Sequence, residues 1–102
     1  MTSVRCDVVR WVNNEPKPGL VEASLVDVHD KTWLFVDKAP IFAASSISPT
    51  STFPFEAAIR CRIVEVSHLT GRDVVLIDTA TPDGLVSIDG ENHFFVHGSQ
   101  IV

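Results

Sequence analysis

The side chains that could do chemistry in this chain are four histidines (His29, His68, His93, His97), two cysteines (Cys6, Cys61), thirteen carboxylates and a serine-rich stretch from Ala43 to Thr52. A metal site needs three or four suitable ligands within reach of one ion. If Asn92 to His97 is a strand, His93 and His97 share a face but stand about 13 Å apart, too far to hold one ion together. His29 and His68 fall in separate turns, and there is no C-x-x-C. Nucleophilic catalysis needs an activated Ser, Thr or Cys beside a base, and the serines come without a G-x-S-x-G elbow. Phosphate cradles are missing too, since the five glycines sit singly and form neither a P-loop nor a G-x-G-x-x-G. Carboxylate pairs can be drawn among the acids, yet a chain of 102 residues rarely builds the long cleft that a sugar polymer needs. The expectation is a protein that is not an enzyme and that carries no cofactor and no metal.

The charge pattern is more informative. Residues 1 to 72 hold all eight Lys and Arg and eight acids, whereas residues 73 to 102 hold Asp73, Asp78, Asp83, Asp89 and Glu91 with no Lys or Arg. The whole net charge of -5 therefore falls on the C-terminal third. A concentrated negative field attracts basic partners and repels nucleic acid, although the same pattern also serves a merely solvated face. Arg5, Arg10, Arg60 and Arg62 could line a nucleic-acid surface, but phosphate contact demands a basic surface overall, so no nucleic acid is expected as partner.

Period-two alternation supplies the elements that must position these groups. Val21, Ala23 and Leu25 alternate with Glu22 and Ser24, and the stretch Gly19 to Lys38 reads as a hairpin turning at His29, Asp30 and Lys31. Asp tolerates the backbone angles of such a turn. Its return strand, Thr32 to Val36, carries Trp33, the expected keystone of the core. A first strand runs from Val4 to about Val12, followed by a Pro/Gly loop from Asn13 to Gly19. The stretch Ile59 to Val66 reads as one long strand, then a turn from Ser67 to Gly71 and a return from Asp73 to Thr79. Leu85 to Ile88 and Asn92 to Val96 flank Asp89-Gly90, the strongest hairpin signal in the chain.

Between Lys38 and Phe55, three prolines and many Ser and Thr forbid a long regular element. Ile41, Phe42, Ile47, Phe53 and Phe55 make this connection too apolar to dangle, so it should fold over an open end of a sheet. Phe53 and Phe55 could alternatively offer a partner surface. VRCDVV at Val4 to Val9 and IRCRIV at Ile59 to Val64 are alike, which suggests two meanders joined by the long connection. About seven short strands in one domain, residues 1 to 102, predict an all-β antiparallel β-sandwich or partly open barrel. Cys6 and Cys61 occupy apolar strand positions and are expected as buried reduced thiols. No apolar run approaches the ~20 residues that span a bilayer, and Arg5 and Asp7 interrupt any signal peptide, so a soluble, cytoplasmic protein without a membrane partner is expected.

A β-domain with an acid-only C-terminal third, a hydrophobic loop and the segment TWLFVDKAPIF resembles the small immunity proteins that bacteria pair with toxin domains in contact-dependent or polymorphic toxin systems. The resemblance implies a cognate inhibitor, commonly of a basic nuclease, that covers the toxin's active site and does no chemistry. The acids would steer the approach, and the expected partner-binding residues are Asp78, Asp83, Asp89 and Glu91 with Phe53 and Phe55. A ligand-binding or structural β-domain, and behind it a small hydrolase, are the alternatives.

Overall fold

The computed structural model describes residues 2–44, 47–69 and 71–102. Ser45 and Ser46 of the long connection, and Thr70 of the turn expected at Ser67 to Gly71, lie outside the described residues. Strands run β1 Ser3–Asn13, β2 Leu20–Val26, β3 Thr32–Lys38, β4 Phe55–Arg60, β5 Arg62–Leu69, β6 Arg72–Asp78 and β7 His93–His97. Single 3-10 turns lie at Ala39–Phe42 and Gly98–Gln100. The protein is all-β: a four-stranded antiparallel sheet in the order β3-β2-β1-β4 and a three-stranded one in the order β5-β6-β7, not closed into a barrel. Among the described residues no helix is long and apolar enough to cross a membrane.

Alternation decides which side chains meet between the sheets. Val4, Cys6 and Val8 of β1 point inward with Val21, Ala23 and Leu25 of β2, and Val8 stands opposite Ala23 in the ladder. Val75, Ile77, Phe94 and Val96 come from the other sheet into the same buried cluster. The long connection folds over this core as expected, burying Phe42, Ala44 and Ile47, while Phe53 and Phe55 pack half-buried against it. At Gly19 the backbone takes φ 125° and passes beneath the Trp11 indole, where a Cβ would collide with the ring.

The first hairpin follows its pattern, and Asp30 at its turn has φ 62°. The organiser of that turn is Asp27, whose carboxylate accepts hydrogen bonds from the backbone N–H of His29 (2.8 Å) and Lys31 (3.0 Å) and from the Trp33 indole (2.9 Å). Burial penalises the Asp27 charge, but these bonds from Trp33, Lys31 and His29, together with the nearby His29 ring, outweigh it and hold its pKa below the ordinary value.

Four expectations need correction. The long connection does not join two meanders, since it leads from β3 to β4 within one sheet. The long strand expected from Ile59 to Val66 is two strands: Cys61 interrupts it, donating its N–H to the Thr2 carbonyl (2.9 Å), and the chain crosses from one sheet to the other. Leu85 to Ile88 is not a strand. Its expected partner, β7, pairs with β6 instead, and the segment meets the edge of β3 through one backbone bond, from the Ile88 N–H to the Leu34 carbonyl (2.9 Å). Asp89-Gly90 does form a turn, with Gly90 at φ 83° and its N–H donated to the Ser87 carbonyl at 2.9 Å. Seven strands are thus reached because one gain offsets one loss.

Finally, Trp33 is only half-buried, and the keystone is Phe94, 2% exposed, which meets Trp33 edge-on at 5.2 Å and Phe35 edge-on at 5.6 Å. Deleting a buried aromatic typically costs about 3–5 kcal/mol. Phe94→Ala is therefore expected to lower the unfolding free energy by roughly that amount in denaturant titration, and by more than Trp33→Ala. The reverse order would contradict this packing.

Candidate docking surface

The loop from Thr79 to Asn92 leaves β6 and returns to β7, and its neck is closed by short polar bonds. The Thr79 N–H donates to the Asn92 carbonyl (2.9 Å), and the buried Thr79 hydroxyl donates to the Leu85 carbonyl (2.8 Å). Asp78 stands at the same neck, 6% exposed. One of its oxygens accepts from the Asn92 amide (2.8 Å) and the Ala80 N–H (2.9 Å), the other from Arg62 (3.3 Å). The Asn92 bond, with help from Ala80, Arg62 and His93, holds its pKa below the ordinary carboxylate value against the opposing effect of burial.

Asp83 is engaged in the same way. Arg60 grips it with both arms of its fork, through Nε at 3.0 Å and through a terminal nitrogen. Asp73 pairs with His68 Nδ1 at 2.7 Å. Of the five C-terminal acids, only Asp89 and Glu91 are exposed without an ion-pair partner among the described residues, although one Glu91 oxygen receives long bonds from the N–H groups of Asn92 (3.3 Å) and His93 (3.4 Å). An unbroken field of five acids is therefore absent. The charges that compensate Asp78 and Asp83 come from Arg62 and Arg60, which precede them in the chain and were counted on the other side of residue 72.

The two open carboxylates sit on a stiff turn. Its Ser87 N–H donates to the Glu91 carbonyl (2.8 Å), the buried Ser87 hydroxyl accepts from the Glu91 N–H (3.1 Å), and the Ile88 N–H docks on the Leu34 carbonyl at the edge of β3 (2.9 Å). Leu85 and Ser87 face inward, so Val86 (45% exposed) and Ile88 (61% exposed) face out beside the acids. These two apolar residues were missed from sequence because their alternation reads as strand. The overlooked signal was that both outward positions of a polar turn are apolar. Phe53 and Phe55, by contrast, are packed against the core, and Phe55 stands opposite Val8 in the ladder between β1 and β4.

The remaining candidate groups have structural partners. Arg5 pairs with Glu56 (3.6 Å) and Arg10 with Glu22 (3.1 Å), so all four arginines considered for phosphate binding already face a carboxylate. Cys6 and Cys61 are buried and unbridged. Burial, with Asp7 nearby, pushes the Cys6 thiol up to about 12, and burial with Asp78 nearby pushes Cys61 up to about 11. Both remain protonated thiols at neutral pH, the poorly nucleophilic form. Among the described residues no three His, Cys, Asp or Glu side chains gather as a metal site would require. Comparison with protein-family models, curated proteins and solved structures finds no match to this chain.

Asp27 and Asp78 carry folded pKa values below those of the unfolded chain, so the stability they contribute is complete above the unfolded value of 3.8 and is lost as pH falls through the folded values. Asp78→Asn leaves donors short of acceptors and is expected to destabilise by about 1–3 kcal/mol at pH 7. Its melting temperature should also fall less than that of the wild type between about pH 5 and pH 2. Parallel acid limbs in the two proteins would show that Asp78 does not couple folding to protonation.

Proposed function

We propose that the protein is a non-enzymatic binding module, an immunity protein that covers the basic active site of a cognate nuclease-type toxin. The observation that carries this reading is the stiff turn from Leu85 to Glu91, which holds Val86 and Ile88 outward beside the open carboxylates of Asp89 and Glu91. Apolar anchors next to charge are the ingredients of a contact in which complementary charge guides the encounter and buried side chains hold it. The hydrogen bonds that fix the turn reduce the ordering needed on binding. Asp89 and Glu91 stand in for the phosphates that such a toxin grips, while Asp78 and Asp83 shape the loop behind them. Sequence resemblance and the net charge of -5 support the same reading.

Co-expression with the product of the adjacent gene should yield a stoichiometric complex. Within that complex, Asp89→Lys combined with Glu91→Lys is expected to slow association about tenfold or more at low salt, an effect that shrinks as ionic strength rises. Ile88→Ala should instead speed dissociation. Failure to form any complex, or association rates indifferent to both charge reversal and salt, would exclude the proposal.

A further inference from the structure

The outer face of the three-stranded sheet carries an apolar patch, Val74, Leu76 and Phe95, among polar neighbours. Ladder register places Glu65, Leu76 and Phe95 in one row and Ser67, Val74 and His97 in the next, with Arg72 two residues before Val74 on the same face. Phe95 is 47% exposed. The turn between β2 and β3 reaches over this face because the Val28 N–H donates to the Phe95 carbonyl (2.9 Å), which brings Val28 and His29 to its lip. Together Val28, His29, Ser67, Arg72, Val74 and Phe95 enclose an open cleft of about 340 Å³.

Arg72 gives this cleft its charge, and it also borders a neighbouring concavity of about 240 Å³ that includes Asp73. Of the five arginines, Arg5, Arg10, Arg60 and Arg62 each face a carboxylate, and Arg72 faces none among the described residues. A second concavity of about 330 Å³ beside Arg5 includes Glu56, so its cation is already neutralised. A guanidinium presents a planar fork that matches a carboxylate, and hydrocarbon beside it accepts an apolar body. Volume sets the size, since the cleft lies at the small end of ligand sites.

We infer that this cleft is a binding site for a carboxylate carried on a single large apolar group, with Arg72 gripping the carboxylate and Val28, Val74 and Phe95 receiving the hydrocarbon. Ser67 and His29 supply further donors at the rim. The chemistry is shared by the C-terminal residue of a peptide and by a free small acid. It does not depend on the toxin-binding turn.

Amide-proton NMR titration of the full chain tests it, using N-acetylphenylalanine, its carboxamide, and a short peptide ending in Phe with a free or amidated terminus. Shift changes should centre on residues 28, 29, 67, 72, 74 and 95, with the acid bound about tenfold tighter than the amide, the factor expected of a charge-assisted hydrogen bond. Arg72→Gln should abolish that preference while the melting temperature stays put. Response to the peptide alone assigns the site to chain termini, and response to both acids assigns it to the carboxylate and ring themselves. No localised shift with either acid, equal affinity for acid and amide, or a preference that survives Arg72→Gln would overturn the site.

Discussion

One extended run of chain, β4 and β5, serves two sheets, and the architecture hangs on its crossing at Cys61. Before the crossing the run pairs with β1, and after it with β6. Cys61 is wholly buried at the junction, and the Thr2 carbonyl takes its N–H. The opposite seam has no such shared chain. There β3 and β7 are joined by the rings of Trp33, Phe35 and Phe94, while single backbone bonds tie β7 to the neighbouring turn and the late loop to β3. A continuous chain through Cys61 on one side and aromatic packing on the other explain why the sheets enclose a shared core without closing a barrel.

Much of this was legible because period-two alternation is a local property. Val4, Cys6 and Val8, and then Val21, Ala23 and Leu25, declare their buried face without reference to anything distant. Asp30 likewise announced its turn. The segments at Val4 and Ile59, alike in sequence, are not the starts of two meanders: they are antiparallel ladder partners in one sheet, and each sends its cysteine into the core.

What could not be read depends on neighbours remote in sequence. No Pro or Gly marks the break at Cys61, because the chain stays extended and merely changes partner. Leu85 to Ile88 has strand-like alternation, but its expected partner β7 is taken up by β6, and it makes only one backbone bond to β3. The same locality misled the charge count: summed along the chain, the C-terminal acids look unopposed, whereas in space Arg60 and Arg62 reach back to Asp83 and Asp78. Ion pairs of this kind fasten a loop, and they leave the surface charge to the few groups that topology does not pair.

The two thiols offer a use that follows from their position. Each is shut inside the core and holds its proton at neutral pH, so an alkylating reagent can attack only after the sheets have parted. Cys6 lies in the first half of β1 and Cys61 at the crossing, and the pace at which each becomes labelled is a clock for how often that part of the molecule opens. Neither requires an introduced probe.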